Sequence, residues 1–340
     1  MSRTSGRLVF VGAVHEAEPA LRAVLDGPAE VAAVVTTPED TTRRHSGYVD
    51  LTALARGAGV PVIRADDVNE AGTVEAIRAL APDLLVVIGW SRLIRDELLE
   101  VPPRGCVGCH ASLLPRHRGR APVNWAMIRG ETLVGNTMML LAPGADTGDI
   151  VDQRAIGVDP EDTCATVYAK VGEAGADMLR QHLPALLAGT APRRRQRADE
   201  GDLLPRRTPA MGVTDWTRPA GAIHDWIRAQ TSPYPGAFTR LDGRKVMLWR
   251  SLVPTGREAG GSTRPGEVLD GASDGVRVGT GTGPIVVTQM SWAGQPPEPA
   301  RRWCERAGVR PGAVFDAVDP ATARWALGLG PEPVHSEVIA

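Results

Sequence analysis

Apolar and polar positions alternate in blocks along the first half of the chain. Residues 7–14 (RLVFVGAV) form a continuous apolar run, the pattern of a strand covered on both faces. Ala17, Leu21, Val24 and Leu25 then recur at helical spacing over residues 15–26. A second apolar run, 29–36 (AEVAAVVT), predicts a strand ending before Pro38. Residues 49–58 read as a helix with Gly59 as its C-cap, 61–63 as a short strand, and 70–80 as a helix broken at Pro82. Residues 83–88 (DLLVVI) predict the most deeply buried strand. Strands alternating with helices imply a parallel sheet covered by helices on both faces. Ligands in such sheets bind beyond the carboxyl ends of the strands, where the strand order reverses. That places the expected site at Gly89-Trp90, after strand 83–88, and at Gly108-Cys109-His110, after strand 104–107.

The pattern changes further along. Residues 191–213 are rich in Pro, Arg and Gly and have no periodicity, so they read as a surface linker with its arginines solvated. An amphipathic helix is predicted over 219–230. Short strand-like runs follow at 237–241, 245–252, 266–270, 276–279 and 284–290, separated by Gly- and Pro-containing turns. The expected architecture is α/β. A doubly wound, mostly parallel, Rossmann-like sheet occupies residues 1–190, and a smaller antiparallel, OB-like β-barrel occupies 214–330.

Composition narrows the function. A length of 340 residues suits two domains. No window of ~18 consecutive apolar residues suggests a membrane span, and the N-terminus reads as a strand, not a signal peptide. The expectation is a cytoplasmic protein with no membrane partner. Its four cysteines, Cys106, Cys109, Cys164 and Cys304, are expected as reduced thiols. With 38 Lys+Arg against 40 Asp+Glu, the net charge is -2, which disfavours a nucleic-acid partner. Lys170 and Lys245 are the only lysines, a bias that reads as base composition, not as phosphate binding. The sequence leaves the oligomeric state open, a homodimer being one option.

Residues 105–150 carry the candidate chemistry. His110 follows one predicted strand and Asp146 the next, so both are expected at the carboxyl edge of the sheet. A His–carboxylate pair is suited to moving a proton during attack on a carbonyl carbon, although such pairs are also common as structural contacts. Residues 106–110 spell C-x-x-C-H, formally a haem-attachment pattern. Haem is rejected because the pattern lacks its structural context, and no further ligands suggest a metal. Other residues have two readings. Arg118 and Arg120 either bind an anionic group of a substrate or hold the loop through carbonyl contacts. Arg43, Arg44, His45 and Tyr48 either flank an acceptor pocket or belong to a solvated loop. His117 is expected to face solvent, and His224 to serve packing or lie at the surface.

The whole phrase is more specific than its parts. His110, Ser112-Leu113-Leu114-Pro115, Arg118-Gly119, Ala121-Pro122, Trp125, Gly144 and Asp146-x-Gly148-Asp149 together resemble the folate-dependent formyltransferases. That family includes methionyl-tRNA formyltransferases, sugar N-formyltransferases and formyltetrahydrofolate hydrolase domains. The resemblance continues through PDLLVVIGWSRLI before the motif and DWTRPAGAIHDWIR and SPYPGAFTRLDGRKVMLWR after it. It implies 10-formyltetrahydrofolate as formyl donor, with the pteridine against Trp90, Arg92 and Leu93 and with Ser112, Leu113, Leu114 and Pro115 lining the donor site. It implies that His110 stabilises a developing oxyanion and that Asp146 orients His110 and helps remove the amine proton.

The chain departs from the family at one position. Most formyltransferases place Asn two residues before this His, and here Gly108 stands there. Losing one oxyanion donor typically costs ~10²–10³ in rate. A backbone N–H, a water or the acceptor could replace it, or the formyl group could pass to water. Asn124, on the predicted helix 121–130, is not assigned that role. The segment between Pro38 and Asp50 is short and carries only Arg43 and Arg44 as fixed positive charges. The expectation is therefore a small-molecule amine acceptor, an amino sugar or a specialised-metabolite amine. The alternatives, in order, are a 10-formyltetrahydrofolate hydrolase, a methionyl-tRNA formyltransferase and a non-catalytic folate-binding protein.

Overall fold

The computed structural model describes residues 6–38, 46–197, 200–255, 264–272 and 274–333. The chain forms two compact units. One comprises Met1–Val123, Leu133–Val158 and Thr166–Leu204; the other comprises Asn124–Thr132, Asp159–Ala165 and Pro205–Ala340.

Up to Leu204 the elements run β1 (Arg7–Val11), α1 (Ala17–Leu25), β2 (Glu30–Thr36), α2 (Thr52–Gly57), β3 (Val62–Arg64), α3 (Ala71–Ala79), β4 (Leu84–Val87), α4 (Asp96–Leu99) and β5 (Cys106–His110). They continue as β6 (Arg118–Gly119), α5 (Pro122–Ile128), β7 (Leu133–Leu140), β8 (Ile150–Gly157), α6 (Cys164–Ala188) and β9 (Leu203–Leu204). Seven strands form one sheet in the order β3-β2-β1-β4-β5-β7-β8. The apolar runs alternate side chains between its faces, as strand geometry requires. Leu8 and Phe10 of β1 pack with Leu21 and Val24 of α1 and Leu179 and Leu183 of α6. Val9 and Val11 pack on the opposite face with Val74 and Ile77 of α3. Each such side chain, fully buried, contributes roughly 1.5–3 kcal/mol.

The strand order reverses between β1 and β4, the expected ligand edge of a doubly wound sheet. β1 to β5 pair in parallel, but β7 runs antiparallel to β5, and β8 antiparallel to β7. His110 pairs with Thr137 and Val107 with Leu140, so β7 leaves the carboxyl edge instead of reaching it. The sequence placed Asp146 at that edge by carrying the parallel order one strand too far. The loop after Leu141 must double back to bring Asp146 to His110.

The second unit contains a 3-10 turn (Pro209–Gly212), α7 (Ala220–Arg228), β10 (Ala237–Leu241), β11 (Arg244–Leu252), β12 (Val268–Ala272), β13 (Gly275–Thr280), β14 (Gly283–Trp292), β15 (Glu298–Pro299), α8 (Ala300–Ala307) and α9 (Pro320–Ala326). Its strands form an antiparallel half-barrel in the order β10-β11-β14-β13-β12, with β15 on β14. Arg207, half-buried, sits between the rings of Trp125 and Trp226, 4.6 and 5.1 Å from their centroids. Its guanidinium donates to Gln230 Oε1 at 2.6 Å, and burial lowers its pKa to about 10. Among the described residues no helix is long and apolar enough to cross a membrane.

Candidate active site

β5 presents alternate residues to the two faces of the sheet. Cys106 packs in the cluster on one face and Cys109 against the cluster on the other. The two thiols therefore stand on opposite faces, and burial pushes both up to about 12. They are protonated packing groups at neutral pH. Gly108 and His110 share a face, as residues two apart in a strand do. Gly108 pairs with Val87 of β4 and Met139 of β7, so its backbone lies within the ladder. A Cβ at this position would stand 2.8 Å from Leu141 Cδ2 and 3.1 Å from Val87 O. Leu141 thus occupies the space that a side chain at position 108 would enter.

His110 is 9% exposed, and each ring nitrogen faces an oxygen. Nδ1 lies 3.4 Å from Asp146 Oδ1, and Nε2 lies 2.7 Å from the His117 carbonyl oxygen. The second carboxylate oxygen of Asp146 accepts from Gly119 N at 2.8 Å. Asp146 has φ +54, a left-handed conformation that Asp tolerates better than most residues but that still carries strain. Two residues on, a Cβ at Gly148 would lie 1.6 Å from Leu140 O, so only glycine fits. These two backbone features turn the loop back on β7 and deliver the carboxylate to His110.

The segment 112–120 closes around the pair. Ser112 Oγ donates to Arg116 O at 2.7 Å, and Thr137 Oγ1 donates to Ser112 O at 2.6 Å. Leu114 is buried, and the Leu114–Pro115 peptide is cis. Leu113 packs over Gly135. His117, expected in solvent, is instead 8% exposed with φ +57. Its N–H donates to Asp202 Oδ1 at 2.6 Å, while its carbonyl faces His110. The loop folds inward because β6 pairs with β9, an interaction between residues far apart in sequence. Arg118 donates to Gln196 Oε1 through Nε at 3.2 Å and Nη2 at 2.8 Å. Arg120 is exposed. Asn124 donates to Ala229 O at 2.6 Å, both residues belonging to the second unit. His224 Nδ1 is 3.1 Å from Ser251 Oγ in the second unit.

A second feature lies at the strand-order reversal. A small open cleft is lined by Ala13 and Val14 after β1, Thr37 after β2, Asp66 after β3, and Gly89, Trp90, Ser91 and Arg92 after β4. Trp90 Nε1, Thr37 Oγ1 and Tyr48 Oη are buried without a hydrogen-bond partner among the described residues. Thr37 is 2% exposed. Unpaired buried polar atoms are costly, and two of these, on Trp90 and Thr37, belong to residues that line the cleft, which suits a ligand that supplies partners. Arg92 pairs with Asp67 at 3.2 Å. Leu93 is 58% exposed and does not line the cleft. Arg43, Arg44 and His45 lie outside the described residues.

Three groups around His110 had no sequence signal: the His117 carbonyl, the Gly119 N–H and Gln196. The first two are backbone atoms. Gln196 stands inside an arginine run and is brought to the site by tertiary structure alone.

Residues 7–183 match the Formyl transferase family, and residues 207–308 match its partner, Formyl transferase, C-terminal domain. The chain belongs to the formyl transferase family. It is 36% identical over 308 residues to the methionyl-tRNA formyltransferase of Geobacter sulfurreducens, covering 90% of this chain and 95% of the relative. It is 35% identical over 316 residues to that of Moorella thermoacetica, covering 92% and 100%. Among solved structures it resembles HypX from Aquifex aeolicus in complex with tetrahydrofolic acid, with TM-score 0.63 and 22% identity over 94% of this chain and 50% of HypX. It also resembles the sugar 3N-formyl transferase WlaRD, solved in the presence of dTDP and 5-N-formyl-THF, with TM-score 0.60 and 14% identity over 85% and 98%. These structural likenesses establish the fold.

The relatives correct one expectation. A net charge of -2 and a short basic loop argued against a nucleic-acid partner, yet this formyl transferase matches enzymes named for methionyl-tRNA over nearly their full length. Net charge averages over a whole surface, whereas phosphate contacts depend on local charge. Here Arg193, Arg194, Arg195 and Arg197 are all exposed within five residues, positive charge that the total conceals.

Proposed function

We propose that this enzyme transfers a formyl group from 10-formyltetrahydrofolate to the amine of methionyl-tRNA, with His110 and Asp146 as the catalytic pair. The observation that carries the reading is the His110–Asp146 contact, built by a strained loop in a chain matched almost end to end by methionyl-tRNA formyltransferases.

The donor supplies an electrophilic formyl carbon. The residues at the cleft suit a heteroatom-rich group such as a pteridine, because Trp90 Nε1 and Thr37 Oγ1 have no hydrogen-bond partner among the described residues. Trp90 and Arg92 would hold it, with Ser112, Leu113, Leu114 and Pro115 shaping the adjoining turn and Tyr48 and the exposed Arg120 available to the acceptor. Arg118 fits the loop-holding reading, because Gln196 takes its guanidinium.

His110 is the group placed to move a proton. Asp146 fixes the ring through Nδ1 and leaves Nε2 for chemistry. In this structure Nε2 faces the His117 carbonyl. A substrate oxygen must compete with that carbonyl, which makes His117 a stand-in for the reacting group. Gly108 contributes no side-chain donor, and its backbone lies within the ladder. Charge developing on the formyl oxygen therefore falls chiefly to His110, and to whatever donor the acceptor brings.

The test is to supply 10-formyltetrahydrofolate with methionyl-tRNA, uncharged tRNA, a nucleotide-linked amino sugar, or buffer alone, and to identify the product. Formyl-methionyl-tRNA formed only with the charged tRNA supports the reading. Formylated amino sugar, or formate released in buffer alone, overturns the acceptor assignment.

A further inference from the structure

The segment between the two family matches reads in sequence as a solvated strap. Its residue Gln196 does something different. Its side-chain nitrogen donates to Asp146 O at 2.9 Å and to Gly148 O at 2.8 Å. Its side-chain oxygen accepts from Arg118 Nε at 3.2 Å and Nη2 at 2.8 Å. An amide side chain has two N–H donors and two acceptor lone pairs, so every hydrogen-bonding position of Gln196 is used.

The four contacts join both halves of the site. The two carbonyls bracket the turn that carries Asp146, a residue in a left-handed conformation that surrounding structure must hold in place. Arg118 lies between His117, whose carbonyl meets His110 Nε2, and Gly119, whose N–H meets Asp146 Oδ2. Farther along the same segment, Asp202 accepts from His117 N at 2.6 Å through its carboxylate and from Arg118 N at 3.1 Å through its carbonyl. Next to it, Leu203 and Leu204 pair with Arg118 and Gly119. Both sides of the His110–Asp146 pair are thus tied to this segment, and among its described residues Gln196 contacts both loops through its side chain.

We propose that Gln196 is a positioning residue for formyl transfer: it clamps the Asp146 turn to the Arg118 loop and so fixes the His110–Asp146 geometry. It touches neither His110 nor any reacting atom. The proposal rests on the catalytic pair assigned above. Its expected size follows from geometry, since misplacing a catalytic group by about 1 Å can cost ~10²-fold in rate.

The informative variant is Gln196→Glu. It keeps the shape and keeps an acceptor for Arg118, but it cannot donate to Asp146 O and Gly148 O. Gln196→Ala, which removes the clamp without adding charge, is the second variant. Three measurements apply to this protein: steady-state formyl transfer, the ¹H–¹⁵N signals of the His110 ring identified by comparison with His110→Ala, and urea unfolding. Both variants are expected to lose ~10²-fold in kcat with KM for donor and acceptor within about threefold, to change the pH profile of kcat, and to shift the His110 ring signals. Wild-type kcat with unmoved His110 signals in both variants overturns the proposal. So does a fall in unfolding midpoint with kcat and the ring signals unchanged, because that is what a merely structural role gives. The ring signals need no turnover. If the wild type transfers no formyl group, the assigned reaction fails, and the signals still decide whether Gln196 positions His110.

Discussion

Gly108→Asn places an amide where the sequence motif leads one to expect an asparagine, and the structure says what stands in its way. The first added atom, Cβ, would lie 2.8 Å from Leu141 Cδ2 and 3.1 Å from Val87 O. The first contact is closer than real Cβ atoms come, and only Leu141 can move, because Val87 O belongs to the sheet. Leu141 itself packs against the core beside β5 and against Met139 and Ile150. Forcing it aside is overpacking, which typically costs about 1–3 kcal/mol. Leu141→Ala alone opens a partly buried cavity and should cost about 2 kcal/mol, the low end for Leu→Ala. In the double variant the asparagine enters space that the leucine has left. The two changes should then be less destabilising together than their sum, by about 1–2 kcal/mol. Urea unfolding of the four proteins, compared at constant m-value, measures this coupling. Activity adds a second test. An amide two residues before His110 on the same face should raise formyl transfer in the double variant, by up to ~10²-fold, the worth of one oxyanion donor. Additivity within about 0.5 kcal/mol would refute the claim that Leu141 fills the Gly108 space. Coupling without a gain in rate would show that another group already serves as the donor.

Other outcomes follow from the same contacts. His110→Ala and Asp146→Asn should each lower kcat by ~10²–10⁴-fold while tetrahydrofolate binding, measured by calorimetry, stays close to wild type. Gly148→Ala should lose roughly 3 kcal/mol or more in urea unfolding together with activity, because its Cβ would overlap Leu140 O. Glu16 is partly buried, and burial raises its carboxyl from 4.5 to about 7. The folded state therefore favours the protonated form, and that contribution to stability is complete below about pH 4.5 and lost as pH rises through 7. Glu16→Gln should stabilise the protein at pH 8 by about 3 kcal/mol at most, and the gain should vanish near pH 4.5 in parallel urea melts.

Much of the sheet was legible because a strand buried on both faces has no polar positions to disguise it. The runs at 7–14, 29–36 and 83–88 became β1, β2 and β4. The antiparallel strands of the second unit were legible from their turns, and β10 begins and ends where expected. Direction was not legible. A helix-bearing connection between β5 and β7 resembles a parallel crossover, and nothing local says that β7 returns antiparallel. β8 was missed because Asp152, Gln153 and Arg154 interrupt its apolar pattern near the sheet edge. α6 was missed although Val167, Val171, Leu179, Leu183 and Leu186 are buried along it. Small residues and an internal Pro184 dilute its periodicity.

The site divides in the same way. His110 and Asp146 could be picked out by residue type and motif. The carbonyl of His117, the N–H of Gly119 and the amide of Gln196 could not, because each reaches the pair through a fold contact with no spacing in the sequence. The charge argument failed for a related reason, since a sum over 340 residues carries no information about where the arginines lie.

The most direct measurement is tetrahydrofolate release from 10-formyltetrahydrofolate, followed together with formyl-methionyl-tRNA formation, in wild type and His110→Ala. The account expects release that requires charged methionyl-tRNA, matches product one for one, and falls by ~10²-fold or more in the variant. Release that proceeds without acceptor, or at the same rate when His110 is gone, would contradict it.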